Sequence, residues 1–305
     1  MGWLRQISLN LYAAGSLYKT YFSDGTRKTL DIKFDIHKTS VGAANESTVT
    51  LTNTSPDTKQ YLMSLINQGE ISVELFAGYE NEGMTLLASG NLIRLFPERQ
   101  GTSDIFTLTF FDGFTAINQS HLEAQFNGGT SLTDIVLALA KSFEKNGVKV
   151  DATKINLTGT VGRRGYTAYG RTATALDKLA ASYNFTWSIQ DGVFQAYMDQ
   201  KKKRASQAVY KVSVKEKNLL KATPEIGEKG MQLIGMKIEA ILNPKCKCMD
   251  IIELESIVYP KYNGKYEIHN LTMTGGTKDV DWKMEIDSKT INDGLAPKSK
   301  SFIVG

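Results

Sequence analysis

The sequence contains two cysteines, Cys246 and Cys248, which are separated by one lysine in the stretch "PKCKCMD". A structural zinc site commonly has four ligands, supplied as two pairs of cysteine or histidine residues. The three histidines, His37, His121 and His269, are scattered, and none lies at ligand spacing from another. A spacing of one residue is also poor for a disulfide. We therefore predict no metal or redox role for the cysteines and interpret them as small hydrophobic residues at a strand entrance.

Two further stretches have residue types that could bind or cleave a substrate. The segment "GTVGRRG" (159–165) has three glycines and two arginines, but it lacks the Gly-Lys-Ser/Thr and following helix of a phosphate-binding loop, so we interpret it as a turn. Glu253 and Glu255 could face one side of a strand, as glycosidase carboxylates do, but alternating charge is far commoner on an exposed strand face. No serine-hydrolase, zinc-protease or calcium-loop motif occurs. We predict no catalytic residue, no metal, no cofactor and no enzyme activity.

Length and composition narrow the class of protein. With 305 residues, 41% hydrophobic and 22% charged, the chain is long enough for two or three folded domains. A net charge of +4 is too small to suggest a protein that coats nucleic acid. The basic run "QKKKRASQ" (200–207) is interpreted as a solvated linker. The N-terminus lacks the apolar core of a signal peptide and no window could span a bilayer, so we expect synthesis in the cytoplasm and no membrane partner.

Alternating apolar residues predict strands in the first and last thirds of the chain. In "LDIKFDIHK" (30–38), every second residue is apolar, which is typical of a half-buried strand. The other predicted strands are 48–53, 71–78, 86–96 and 104–113 in the first third, and 209–214, 236–242, 250–256, 264–276 and 279–287 in the last. A short helix is predicted from Ser55, with Pro56 in its first turn.

The middle of the chain has a helical period instead. Residues 131–147 have one apolar face, with Ser131 and Asp134 at capping-box spacing and Gly147 as the C-terminal cap. A second helix is predicted at 172–184, followed by two short strands around Asp191-Gly192, a strong hairpin signal. This pattern predicts a small α+β module of two helices and a few strands.

The first and last segments match in the order of their strands and turns. Four strands correspond in turn: "TVTLTNTSP" with "KIEAILNP", "GEISVELFAG" with "MDIIELES", "ASGNLIRLF" with "IHNLTMT", and "SDIFTLTFFDG" with "DVDWKMEID". We predict a mainly β fold of two related antiparallel β-barrels with an α+β insertion between them. The predicted domains are residues 1–118, 119–205 and 206–305.

These segments resemble the baseplate hub proteins of contractile-tailed phages. The resemblance is carried by "LDIKFDIHKTSVGAANESTVTLTNTSPDT" and "FAGYENEGMTLLASGNLIRL" in the first segment, and by "GMKIEAILNPKCKCMDIIELES" and "YNGKYEIHNLTMTGGTKDVDWKMEID" in the last. Where this chain has Cys246 to Asp250, family members usually have a Gly-Asp-like turn. The resemblance covers about two thirds of the chain and includes no catalytic signature.

The resemblance implies a structural virion protein with two tube-like barrels. It implies a homotrimer that closes the sixfold tail tube and seats the threefold central spike, with the tape-measure protein and other baseplate components as further partners. Three chains with two similar barrels each would match the six subunits of a tube ring. The trimer could therefore contact both a sixfold tube and a threefold spike. The expected location is the virion tail baseplate, after assembly in the host cytoplasm.

Other functions stay open from the sequence. Another tail component, such as a distal tail protein or the hub of a type VI secretion spike, would share the fold. A cell-wall-degrading tail enzyme lacks candidate residues and would show turnover on purified peptidoglycan. A nucleic-acid binder that used "KKKR" and "GRRG" would show strongly salt-dependent affinity, and we expect no sequence-specific nucleic-acid binding.

Overall fold

A computed structural model describes residues 4–13, 15–26, 28–40, 44–65, 70–198, 208–227 and 232–291. The predicted basic linker at 200–207 and the C-terminal tail beyond residue 291 lie outside these residues. The strands of the first segment are β1 Arg5–Ala13, β2 Ser16–Ser23, β3 Asp31–Thr39, β4 Asn45–Thr52, β5 Ile71–Tyr79, β6 Gly83–Gln100 and β7 Ser103–Asp112. Helix α1 (Pro56–Leu65) lies between β4 and β5.

The middle segment alternates helices with short strands. Its helices are α2 Phe114–Gln119, α3 Leu132–Ala140 and α4 Thr172–Tyr183, and a 3-10 helix at Lys141–Asn146 extends α3. Its strands are β8 His121–Phe126, β9 Lys149–Asn156, β10 Tyr166–Arg171, β11 Thr186–Gln190 and β12 Val193–Tyr197. The last segment contains β13 Val209–Ser213, β14 Leu219–Ile226, β15 Leu233–Ile241, β16 Ile251–Glu255, β17 Gly264–Gly276 and β18 Trp282–Thr290.

One 13-stranded sheet contains all the strands of the first and last segments. Its main path is β14-β15-β18-β17-β3-β4-β7-β6-β5-β1-β2, while β16 pairs with β13 and β17. The two segments join where β17 pairs with β3 in antiparallel orientation. The mostly antiparallel β fold with an α+β insertion agrees with the prediction. Within the described residues, however, the strands form one open, continuous sheet rather than two closed barrels, because β3 pairs with the other segment.

The two β segments have the same strand order. Neighbouring strands run β3-β4-β7-β6-β5 in the first segment and β14-β15-β18-β17-β16 in the last. The four strand equivalences predicted from the sequence therefore hold in the structure. The segments differ in two ways. Strand β1 lies antiparallel to β5, whereas β13 lies parallel to β16. Helix α1 lies between β4 and β5, whereas only a short connection lies between β15 and β16.

Two hydrophobic cores hold the described residues together. One core combines buried residues of both β segments, among them Ile7, Phe34 and Leu108 of the first and Ile238 and Ile286 of the last. Burial of apolar area on this scale is the main term that stabilises a fold. Because the core is shared, the two β segments pack as one body. The predicted domain boundaries at 118 and 205 stay a prediction.

The second core belongs to the inserted α+β module. Phe143, Trp187 and Phe194 pack with ring centroids 5.9–6.1 Å apart. Strand β12 pairs antiparallel with β11 and parallel with β9, and β8 and β10 form a separate pair. The two helices and the hairpin predicted from the sequence are confirmed, and the side chain of Ser131 accepts the Asp134 N–H at 3.1 Å as its spacing predicts.

Candidate functional site: the junction of the three segments

Cys246 and Cys248 lie in the connection from β15 to β16, with both thiols in the shared core. Cys246 is 1% exposed, and burial, followed by the nearby charge of Asp250, raises the pKa of its thiol well above the ordinary value. A thiol that stays protonated is a poor nucleophile and a poor metal ligand. The position at a strand entrance agrees with the prediction. Lys247, between the two thiols, is exposed and points to another segment.

The other residues singled out in the sequence do not converge. Glu253 lies between Lys211 and Lys265 on the neighbouring strands, and Glu255 forms surface ion pairs with Lys211 and Lys215 at 3.0 and 3.2 Å. Both half-buried carboxylates thus lie beside lysines in the described structure, and the absence of a catalytic role for them stays a prediction. Across the described parts of the chain, no group of three or more His, Cys, Asp or Glu residues could hold a metal ion.

The glycine-rich segment 159–165 is a turn that packs against the start of α3. The N–H of Val161 bonds to Thr130 O at 3.0 Å, and the N–H of Leu132 bonds to Gly159 O at 3.0 Å. At Gly165 the backbone is left-handed (φ 72°), and an added Cβ would lie 2.2 Å from Phe126 O. Because the turn leads into strand β10 and not into a helix, it lacks the geometry of a phosphate-binding loop.

Trp282 links the two β segments at the start of β18. Its indole N–H donates to the Tyr79 hydroxyl of β5 at 2.9 Å, and that hydroxyl donates to Leu242 O at 3.0 Å. The guanidinium of Arg5 lies 5.1 Å from the centre of the indole ring. Buried tryptophan N–H groups usually have such a partner. These contacts fix the orientation of the last segment against the first.

A charged cluster lies where all three segments meet. Asp191, in the hairpin turn between β11 and β12, contacts Lys38 of β3 at 2.5 Å and Lys247 at 2.9 Å. The side chains of Lys38 and Asp191 are only 5% and 8% exposed. Asp112, at the end of β7, accepts the Gly192 N–H at 3.0 Å. One turn of the inserted module is thus held by charges from both β segments.

Burial and charge set opposite pKa shifts within this cluster. Burial, and then the charge of Asp191, raises the pKa of Asp112 to about 6. Burial also acts to raise the pKa of Asp191, but Lys38 and Lys247 outweigh it, so the pKa of Asp191 is lowered. Asp191 therefore carries the negative charge of the ion pairs, while Asp112 gains its proton as the pH falls through about 6.

Amide side chains complete the junction. Asn45 of β4 donates to Ile189 O at 3.2 Å, and Gln190 donates to Thr39 O at 2.6 Å. Glycine suits position 113 because its backbone is left-handed (φ 68°), and an added Cβ would also lie 2.7 Å from a methyl carbon of Ile189. Sequence reasoning located the Asp191-Gly192 turn but missed this cluster. The only sequence signal for it is polar residues in otherwise apolar alternation, such as Lys38 at the end of β3.

The fold is similar to those of solved phage tail proteins. A tail protein from Neisseria meningitidis MC58 has a TM-score of 0.62 and 9% identity, covering 95% of this chain and 97% of that one. The 43 kDa tail protein of prophage MuSo2 from Shewanella oneidensis has a TM-score of 0.60 and 12% identity, covering 92% and 96%.

A third solved structure extends the similarity to secretion systems. The E. coli c3393 protein, a type VI secretion component with structural similarity to the T4 bacteriophage tail proteins gp27 and gp5, has a TM-score of 0.59 and 9% identity, covering 93% of this chain and 77% of that one. The fold is thus shared by phage tail proteins and a type VI secretion component.

The sequence matches the model of the baseplate hub gp41 family over residues 17–287. The chain belongs to this family, which confirms the resemblance predicted from the sequence, and it is a structural component of a phage tail baseplate. No protein with a curated function matches the sequence. Among the described residues, no helix is long and apolar enough to cross a membrane.

Proposed function

We propose that three copies of this chain form the hub of a contractile tail and join the sixfold tail tube to the threefold central spike. The observation that carries the proposal is the repeated strand order of the two β segments. Three chains with two such units each present six similar units, which is the number of subunits in a tube ring. A threefold assembly can therefore match a sixfold one on one side and a threefold one on the other.

The junction supports this role because a hub needs both units in a fixed relation. The shared core, the Trp282 contacts and the Lys38–Asp191–Lys247 cluster hold the two β segments and the inserted module together. We propose the domain boundaries 1–118, 119–205 and 206–305 for the first unit, the insertion with its linker, and the second unit with the tail.

The proposed partners follow from the position in the particle. They are the tube ring on one side, the spike on the other, and the tape-measure protein and other baseplate components nearby. The hub would assemble in the host cytoplasm and remain in the virion. Its role would be structural, with no substrate turned over.

A reconstruction of the assembled tail tests the proposal. We expect three copies around the axis at the end of the tube, each chain-to-chain interface burying upwards of about 2,000 Å², as obligate interfaces do. The isolated chain is not the decisive sample, because assembly can require the tube or the spike. Six copies around the axis, or a location away from the tube end, would contradict the proposal.

A type VI secretion hub is the second candidate, favoured by the similarity to the E. coli secretion component. The neighbouring genes distinguish the two. We expect a tape-measure gene upstream and a spike gene downstream, whereas secretion-system genes on both sides would favour the second candidate.

A further inference from the structure

The contact that joins the two β segments within one chain suggests how neighbouring chains join. Strand β17 pairs with β3 from Asn270↔Thr39 to Gly276↔Lys33. On its other side, β17 pairs with β18. The buried side chains of Leu271 and Met273, 0% and 1% exposed, lie on the part of β17 that β3 covers.

By the repeated strand order, β6 is the equivalent of β17 and β14 is the equivalent of β3. Each long strand has a bulge at the same rung: Ile93 lies between residues paired with Phe110 and Thr109, and His269 lies between residues paired with Ser288 and Asp287. Counting from these bulges makes Leu95 equivalent to Leu271 and Pro97 equivalent to Met273.

The equivalent partners are not paired with each other within the chain. Strand β5 pairs with β6 only over Gly83–Asn91, so β6 beyond Asn91 pairs with β7 alone among the described strands. Strand β14 pairs with β15 alone among the described strands and ends the sheet path. Both edges expose apolar side chains, including Phe96 (62%) and Ile226 (43%). Unpaired strand edges of this kind are templates for another strand.

We propose that the second half of β6 pairs antiparallel with β14 of the neighbouring copy, and that this contact joins the chains of the hub. The inference rests on the proposed trimer and specifies the contact. Transferring the β17–β3 register places Leu95 opposite Ile226 and Glu98 opposite Thr223. Three such contacts alternate with the three β17–β3 contacts and close the sheet into a ring.

The residues at these edges are complementary in the transferred register. Arg94 lies diagonally from Glu225 and Glu98 lies diagonally from Lys221, so opposite charges meet, while Phe96 lies directly opposite Glu225. Diagonal neighbours on adjacent strands are within reach of long side chains. Within its own chain, Glu225 already contacts Lys237 at 3.5 Å, so it would form part of a wider charge network.

Each edge has one proline, and the register places them opposite one another. Pro97 and Pro224 lack a backbone N–H, which limits prolines in sheets to strand edges and bulges. Because the two prolines lie opposite one another, backbone N–H groups are missing at only one residue pair of the contact. The same residues make each edge a weaker template for incorrect pairing before assembly.

Disulfide trapping in the assembled tail tests the contact. Glu98→Cys and Thr223→Cys in one chain place two thiols directly opposite one another across neighbouring copies. Mild oxidation is expected to convert most of the hub into covalently linked trimers on a non-reducing gel. The matched control combines Glu98→Cys with Lys217→Cys, which lies in the turn before β14 and outside the proposed contact, and should remain monomeric on the gel.

The outcomes separate this inference from the proposed function. Trimers linked by the Glu98–Thr223 pair but not by the control support the strand contact. A reconstruction with three copies but no link in the first variant overturns the contact and leaves the proposed hub intact. A reconstruction without three copies overturns the proposed hub and this contact with it.

Discussion

At the scale of single residues, neighbouring side chains in the connection from β15 to β16 have different roles: two pack in the core and one forms an ion pair. Cys246 and Cys248 face the core, while Lys247 between them reaches Asp191 of the inserted module. The charged residue thus provides the contact between segments, and the thiols provide volume. The Cys-Lys-Cys pattern first suggests a metal site. In the structure, its lysine contacts the inserted module instead.

The first prediction concerns these thiols. Cys246→Ala combined with Cys248→Ala should lower the free energy of unfolding by about 1 kcal/mol per site, because only small buried side chains are shortened. Urea unfolding gives the free energy, and elemental analysis of both proteins gives the metal content. Stoichiometric zinc in the parent protein that the double variant lacks would show that the cysteines are ligands.

The second prediction concerns the pH dependence due to Asp112. Its pKa of about 6 in the folded chain lies above the value of about 3.9 in an unfolded one, so the folded state binds the proton more tightly. The contribution of Asp112 to stability is therefore full below about pH 4 and is lost as the pH rises through about 6.

Asp112→Asn removes this titration and keeps an oxygen that can accept the Gly192 N–H. The variant should be more stable than the parent by about 2 kcal/mol at pH 7, and the gap should close below about pH 4. Urea unfolding at a series of pH values measures it. A gap that does not vary between pH 4 and 7 would show that Asp112 does not titrate differently in the folded chain.

At the scale of elements, the strands with strict alternation were predictable and their partners were not. The predicted span 264–276 coincides with β17, and β3 differs from its predicted span by one residue at each end. The hairpin β1–β2 was not predicted, although Ile7, Leu9 and Leu11 alternate in β1, because most of β2 is exposed and lacks apolar alternation. Strand β14 was missed because Pro224 interrupts a segment without alternation.

Pairing between distant strands is a property of the whole chain. The β17–β3 contact joins strands more than 200 positions apart in sequence, and neither strand contains a signal for the other. The charged cluster is hidden for the same reason, since Lys38, Asp191 and Lys247 come from three separate segments. The repeat of strand order was visible because it depends on local patterns and turns.

The third prediction tests the buried ion pair that ties these elements together. Lys38→Met leaves the buried Asp191 with Lys247 as its remaining lysine partner and should cost about 3–5 kcal/mol. Lys59→Met is the matched control, because the Lys59–Asp104 pair has the same 2.5 Å distance but side chains 41% and 30% exposed. Its loss should cost no more than about 1 kcal/mol.

Urea unfolding of the two variants gives the comparison. Adding Asp191→Asn to Lys38→Met should recover most of the lost stability, because residue 191 then carries no buried charge that needs Lys38. Equal losses for Lys38→Met and Lys59→Met would show that the junction does not depend on the buried pair.

At the scale of the whole molecule, the sheet has two kinds of contact between equivalent strands. The β17–β3 contact is made within the chain, and the proposed β6–β14 contact is made between chains. A subunit with one such contact completed and two complementary edges left open is suited to a closed ring, since each copy offers one edge to each neighbour. Ring closure would also cover these two edges, β14 and the second half of β6.

The last prediction tests the proposed β6–β14 contact between chains by reversing one charge. Arg94→Glu turns the proposed Arg94–Glu225 attraction into repulsion at each of three interfaces, at about 1 kcal/mol each. The sum of about 3 kcal/mol should lower the assembly constant roughly hundredfold. Arg94→Glu with Glu225→Arg restores opposite charges and should restore assembly.

Quantitative mass spectrometry of purified tails measures the hub content, and the melting temperature of each isolated variant controls for folding. Tails that contain as much Arg94→Glu hub as parent hub would place the chain-to-chain contact elsewhere.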